Sequence, residues 1–198
     1  MSTTRTFVAV HLSPELVSRL TALEDHFRAL PGGNAVRWVP PESMHLTLKF
    51  LGEVEDSRLP RIFQTVSAVC ARSAPFRLTV AGAGCFPDSL RPRIVWAGIT
   101  EGERELVTLA AELDAALAAL GFPRERRPFS AHITLGRMDR RASQSELAVF
   151  GRSIADQSVG ELGSLVADHV NVVKSDLRPQ GPLYTDLYVC PLAAESKA

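Results

Sequence analysis

Cysteine is scarce in this chain of 198 residues, which has only Cys70, Cys85 and Cys190 and no Cys-x-x-Cys pair. An odd number of widely spaced cysteines argues against a disulfide framework and against a thiolate zinc site. Buried free thiols in a reducing compartment are the expected alternative. A chain of this length can bury a substantial hydrophobic core without such cross-links.

Long apolar runs are also missing. No stretch approaches the roughly 18 apolar residues that a membrane-spanning helix requires. The first apolar run, from Phe7 to Leu12, is six residues long, and no small-residue cleavage site follows it. It therefore does not resemble a signal peptide. We expect a cytoplasmic protein that does not associate with a membrane.

The chain has no excess of either charge, because 22 lysines and arginines balance 22 aspartates and glutamates. A neutral molecule is not attracted to nucleic acid as a whole, so any affinity for RNA must come from a local patch. One basic cluster consists of Arg124, Arg126, Arg127, Arg137, Arg140 and Arg141. Its nearness to His132 favours a surface that faces phosphate, and a solvated loop is the ordinary alternative.

The apolar pattern predicts helices and strands in irregular alternation. Helical spacing of apolar residues occurs in segments 14–30, 59–69, 103–120 and 143–153. Strand-like runs occupy segments 7–12, 44–52, 76–80, 94–96, 131–137, 166–173 and 183–190. The alternation is too irregular for a doubly wound sheet, so the predicted class is α+β. No linker divides the chain, and we expect residues 1–198 to form one domain.

Two of the predicted strands carry the same pattern of histidine and threonine between apolar residues. The first is His45-Leu46-Thr47-Leu48 and the second is His132-Ile133-Thr134-Leu135. Successive side chains of a strand point to opposite faces, so each histidine shares a face with its threonine while the apolar residues line the other. Two such patterns should arise by accident in only about one chain in a thousand. One histidine strand in each half also suggests a diverged internal duplication.

The paired motifs resemble those of the two-histidine (2H) phosphoesterase superfamily. The surrounding residues resemble its RNA 2′,3′-cyclic phosphodiesterases, historically called 2′-5′ RNA ligases. The segments that carry this narrower resemblance are 5–10, 38–39, 45–52, 84–87, 93–98, 129–137 and 181–184. One departure is Ala131, which stands where the family usually has a proline. The resemblance implies a two-lobed fold, with antiparallel sheets lining a central groove and helices packed outside.

The resemblance also implies a reaction and a role for each motif residue. Opening a cyclic phosphodiester requires one group to take a proton from water and another to protonate the departing sugar oxygen. Histidine suits both tasks because its ordinary pKa is near ~6.5. The family pattern makes His45 the proton donor and His132 the acceptor, whereas the residues alone leave that order open. Thr47 and Thr134 would donate hydrogen bonds to the phosphate oxygens.

Two further candidates come from the same resemblance. Arg137 matches a family arginine that contacts phosphate, but strand parity puts it on the face opposite His132. Its assignment therefore requires a bulge or strand end at Gly136. Tyr184 lies in a family-like segment and is a candidate substrate contact, although packing alone would also explain it.

Strand parity also places two neighbours of the first motif. Lys49 shares the His45 face and is either a phosphate contact or an exposed lysine at the rim of the groove. Phe50 falls on the apolar face and is expected to belong to the core rather than to a base-stacking platform. His11 and His26 are expected to be surface or strand-end histidines.

Neither a metal nor a cofactor is expected, because two histidines without an adjoining carboxylate or thiol offer too few ligands. The resemblance implies metal-independent hydrolysis of RNA-terminal 2′,3′-cyclic phosphate to a 2′-phosphate. The expected substrates are RNA ends or nucleotides, and the expected state is a monomer. Three alternatives stay open: ATP-independent 2′-5′ joining of RNA ends, hydrolysis of another cyclic phosphodiester, and binding of RNA ends without catalysis.

Overall fold

The structure, a computed structural model, describes residues 2–179 and 181–193. The strands are β1 (Thr3–His11), β2 (Val36–Trp38), β3 (His45–Glu55), β4 (Phe76–Phe86), β5 (Ile94–Glu101), β6 (His132–Met138), β7 (Glu161–Ala167), β8 (His169–Arg178) and β9 (Gly181–Pro191). The helices are α1 (Pro14–Arg28), α2 (Leu59–Cys70), α3 (Glu103–Ala118) and α4 (Gln144–Ala155).

The helices begin where the sequence predicts. Ser13 caps α1 by accepting a hydrogen bond from the Leu16 amide, with Pro14 in the first helical position. Ser143 and Glu146 form a reciprocal capping box at the start of α4. The apolar face of α3 is fully buried through Leu106, Leu109, Leu113 and Leu117. Local capping and apolar spacing therefore define these helices.

The strands form two antiparallel sheets, which confirms the α+β class. The first sheet has the order β3-β1-β8-β9 and the second the order β2-β6-β5-β4-β7. Helices α2 and α3 contact strands of the first sheet, and α1 and α4 contact strands of the second. Helices thus cover both sheets, as the resemblance implies.

The two motif strands belong to different sheets and nevertheless contact each other. Strand β3 is the edge of the first sheet, and β6 lies next to the edge of the second. After β2 pairs with β6, the chain passes through a short 3-10 turn, Pro41–Ser43, directly into β3. This short connection holds β3 against β6.

The apolar residues of both motifs lie in one continuous core. Leu46, Leu48, Ile133 and Leu135 are all buried there, as strand alternation predicts. A separate small cluster on the other face of the first sheet contains Phe7, Ala9 and Val173, with Tyr184 packed against it. The first sheet therefore packs on both faces, one against the core and one beneath the motif side chains.

Two expectations about strands are wrong. The strand expected over residues 76–80 is too short, because β4 extends to Phe86 through a bulge where Gly82 has a φ of 72°. Residues 166–173, expected to be one strand, belong to β7 and β8, which lie in different sheets and meet at Asp168. An unbroken apolar pattern does not reveal where a chain leaves one sheet for another.

Within the described residues, no helix has the length and apolarity needed to cross a membrane.

Candidate active site

The backbone holds the two motif histidines in the same way. His45 Nδ1 lies 2.8 Å from the carbonyl oxygen of Ser43, and His132 Nδ1 lies 2.8 Å from that of Ser130. A carbonyl oxygen only accepts, so Nδ1 carries a hydrogen in both rings. Nε2 is therefore the position at which each imidazole can gain or lose a proton.

Each imidazole also packs against a phenylalanine. The ring centroids of Phe7 and His45 are 4.7 Å apart, and those of Phe86 and His132 are 5.0 Å apart. Tyr184 meets His45 edge-on at 5.2 Å. These contacts fix the orientation of both imidazoles and show that Tyr184 packs against His45.

A bulge in β6 brings Arg137 to the histidine face. In the pairing of β6 with β5, Gly136 opposes Val95 and Thr134 opposes Trp96, so Leu135 has no partner of its own. Leu135 and Gly136 are both buried, and Arg137 is exposed on the side of His132 and Thr134. The bulge on which the assignment of Arg137 depends is therefore present.

The same bulge occurs in β3, where it reverses two expectations. The pairing of β3 with β1 skips Leu48, so the alternation restarts one residue later. Lys49 consequently turns into the core and is 3% exposed, which makes its expected place on the His45 face wrong. Phe50 turns outward and is 58% exposed, so its expected place in the core is also wrong. Phe50 occupies in β3 the position that Arg137 occupies in β6.

Lys49 has a structural environment. Its Nζ donates to Asp114 Oδ1 and to the carbonyl oxygen of Pro123, both at 2.6 Å, and lies 3.5 Å from Glu125 Oε1. Burial would raise the pKa of Asp114, but hydrogen bonds from Lys49 and from the Glu125 amide hold it below the ordinary value. Lys49 therefore ties β3 to α3 and to the segment that leads into β6.

The pKa values of both histidines are shifted in the same direction. Burial lowers the pKa of His45 and of His132, while the carbonyl of Ser43 or Ser130 partly opposes the shift. The guanidinium of Arg137 lowers both pKa values further. Strand β3 contacts β6, and Arg137 lies on the His132 face of β6, so the three side chains belong to neighbouring strands.

The two motif threonines lie beside the histidines. Thr47 and Thr134 are half-buried on the histidine faces of their strands. A threonine hydroxyl at such a position can donate a hydrogen bond to a ligand. Two imidazoles, two hydroxyls and a guanidinium form a set of groups that can bind an anion and move protons.

Sequence reasoning missed several residues of the site. Phe7 and Phe86 support the imidazoles, and alternation along β1 could have identified Phe7 because it shares a face with His11. His11 is the last residue of β1, one of its two expected places, and it lies in a cleft with His45 and Asp186. No local signal identifies Asp186, because its place depends on the pairing of β9 with β8.

Comparison with known proteins agrees with this geometry. A family model described as LigT like Phosphoesterase matches residues 10–96 and residues 99–184. Over 185 residues the chain is 38% identical to the RNA 2′,3′-cyclic phosphodiesterase of Archaeoglobus fulgidus, with 93% of this chain and 98% of the relative covered. The protein of the same name from Methanothermobacter thermautotrophicus is 33% identical over 185 residues, with 93% and 97% covered.

Solved structures give the same result. A Thermus thermophilus protein superposes with a TM-score of 0.79 at 29% identity, covering 97% of this chain and all (100%) of its own. Escherichia coli LigT complexed with 3′-AMP superposes with a TM-score of 0.77 at 26% identity, covering 98% and 100%. These matches and the family model together cover both halves of the chain, each with its histidine strand. The protein belongs to the LigT-like phosphoesterase family.

Proposed function

We propose that this protein hydrolyses 2′,3′-cyclic phosphates at the ends of RNA and leaves a 2′-phosphate. The observation that carries the proposal is the matched pair of imidazoles on adjoining strands, each with a threonine hydroxyl beside it. The names of the relatives that are 38% and 33% identical, RNA 2′,3′-cyclic phosphodiesterase, support the choice of substrate.

In the proposed mechanism the cyclic phosphate lies between the two histidines. Thr47, Thr134 and Arg137 donate hydrogen bonds to the non-bridging oxygens, where negative charge grows in the transition state. Water attacks phosphorus on the side opposite the sugar O3′, and His132 Nε2 takes its proton. The bond between phosphorus and O3′ breaks, and His45 donates its Nε2 proton to O3′. Exchange of protons with solvent restores both imidazoles.

The mechanism requires one neutral and one protonated histidine at the same time. Because burial and Arg137 lower both pKa values, the free enzyme holds two mainly neutral imidazoles at neutral pH. A bound phosphate brings a negative charge next to them and offsets the effect of Arg137. Substrate binding therefore favours protonation of one imidazole, and the family resemblance assigns that proton to His45.

The groove face of the first sheet extends past the motif, which suits a chain of nucleotides. Phe50 pairs across the strands with Phe7, and the ring centroids are 6.0 Å apart. Arg5 lies near enough to Tyr184 to lower the pKa of its hydroxyl, against the dominant effect of burial. An exposed aromatic ring and a nearby guanidinium can bind the base and phosphate of the next nucleotide.

A phosphorus NMR time course tests the proposal. The substrate is a short RNA that ends in a 2′,3′-cyclic phosphate, and the control protein is His26→Ala, altered at an exposed histidine bonded to Gln157. Wild type and control should convert the cyclic phosphate resonance into that of a 2′-phosphate. An unchanged substrate, or a 3′-phosphate product, would contradict the proposal. A second RNA with a 5′-hydroxyl, included in a parallel reaction, reveals any 2′-5′ joining.

A further inference from the structure

A cleft beside His45 has a chemical character unlike that of the phosphate site. It is lined by His45 itself with Phe7, Met44 and Tyr184, and by three further residues that the proposed mechanism does not use, His11, Glu42 and Asp186. His11 is the direct cross-strand neighbour of His45 in the pairing of β1 with β3. Two carboxylates and a second imidazole therefore lie next to the proposed proton donor, and the proposed mechanism uses none of them.

Asp186 is held from two sides. Its Oδ1 accepts a hydrogen bond from His11 Nε2 at 2.7 Å, and its Oδ2 accepts one from Asn171 Nδ2 at 2.9 Å. Asn171 is only 2% exposed, so its hydrogen bond ties Asp186 to a buried side chain of the sheet. Each carboxylate oxygen has a second lone pair, so Asp186 can still accept hydrogen bonds from a ligand. The side chain is an oriented acceptor rather than a freely moving surface carboxylate.

Charge decides what this cleft can hold. The carboxylates of Glu42 and Asp186 repel phosphate, whereas Arg137, which attracts it, is not among the residues that line this cleft. The neutral part of a nucleotide is its base, and amino groups on a base donate hydrogen bonds to carboxylates. In the proposed mechanism His45 protonates the O3′ of the terminal sugar. The terminal nucleoside therefore lies on the His45 side, next to this cleft.

We infer that this cleft binds the terminal nucleobase and that Asp186 accepts a hydrogen bond from the amino group of that base. The inference rests on the proposed function and extends it to base selection. His11 and Asn171 are positioning residues, because they fix the carboxylate, and Glu42 adds a second acceptor. The site favours a base that carries an amino group over one that presents a carbonyl at the same position.

Cytosine and uracil provide a matched pair of probes, because they differ at the position where cytosine has its amino group and uracil an oxygen. Wild type should hydrolyse cytidine 2′,3′-cyclic phosphate with a kcat/KM about tenfold above that for the uridine compound. Asp186→Asn should remove this preference, because an amide can donate as well as accept. The control Asp176→Asn should keep it, since that carboxylate has nearly the same exposure, 39% against 41%.

His11→Gln is a second variant, and it tests whether His11 positions the carboxylate of Asp186. Loss of the ring that anchors Asp186 should lower the ratio of the two kcat/KM values even if overall activity also falls. Equal rates for both substrates in wild type, or an unchanged ratio in Asp186→Asn or His11→Gln, would overturn the inference. The RNA time course tests the proposed function separately; if wild type hydrolyses neither mononucleotide, calorimetric Kd values for 2′-CMP and 2′-UMP decide the inference. A preference for 2′-CMP supports base selection, and equal Kd values overturn it.

Discussion

Replacing Lys49 with methionine should destabilise the protein strongly, although the residue lies outside the active site. Methionine fills a similar volume but makes none of the contacts of Nζ with Asp114, Pro123 and Glu125. Asp114 would stay buried, its side chain only 12% exposed, and would keep as its cation only Arg124, whose side chain is 65% exposed. Removing one partner of a buried ion pair typically costs about 3–5 kcal/mol. For a chain of this size that corresponds to a fall in Tm of roughly 6–20 °C.

The loss of stability in Lys49→Met should depend on pH, because the pKa of Asp114 is lowered in the folded protein. Interactions with Lys49 hold the pKa of Asp114 below its ordinary value, so the stability they give is present above the unfolded pKa of ~3.9. That stability disappears as the pH falls through the folded pKa. The difference in Tm between wild type and Lys49→Met should therefore be largest near neutral pH and smallest in strong acid.

Urea denaturation and calorimetry measure the effect. Lys174→Met is the matched control, because that lysine forms a 3.1 Å ion pair with Asp176 at a side-chain exposure of 36%. An exposed pair of this kind contributes about 0–1 kcal/mol. The double variant Lys49→Met with Asp114→Leu should recover much of the lost stability, since it leaves no buried charge unpaired and Arg124, which loses Asp114, is 65% exposed. A free energy of unfolding for Lys49→Met within about 0.5 kcal/mol of wild type would refute the reasoning.

Two further predictions concern the groove. The pH profile of kcat/KM should be bell-shaped and centred on the acid side of ~6.5, because both histidine pKa values are lowered. Arg137→Gln should move the profile to higher pH and reduce kcat, and an unmoved profile would place Arg137 away from the histidines. Phe50→Ala should raise KM severalfold for an RNA oligonucleotide and leave KM for a cyclic mononucleotide unchanged. Equal effects on both substrates would remove Phe50 from the path of the RNA chain.

The sequence predicts those features that local chemistry determines. Ser13 and Ser143 mark helix starts because each side chain accepts a hydrogen bond from an amide three residues later. Leu46 and Ile133 lie in the core because alternation within the first residues of a strand is regular. For the same reason, the shared pattern predicts that each motif histidine lies on one face of its strand with its threonine.

Features that depend on the pairing between strands could not be predicted from the local sequence pattern. In β6 the bulge has a local sign, Gly136, where a Cβ atom would lie 2.5 Å from Val36. In β3 the corresponding residue is Lys49, which gives no such sign, so parity placed Lys49 and Phe50 on the wrong faces. Asp186 likewise depends on a register shift between β8 and β9. Long-range register thus determines the parts of the groove that local pattern does not.

The central claim is that His45 and His132 act as one unit on a single phosphorus atom. The most direct measurement is kcat for cytidine 2′,3′-cyclic phosphate in His45→Ala, His132→Ala and the double variant, with Tm measured for each. Each single change should lower kcat by about 10²–10⁴ without loss of the fold, and the double variant should lose little more. Near-normal kcat in either single variant, or losses that multiply in the double variant, would contradict the account.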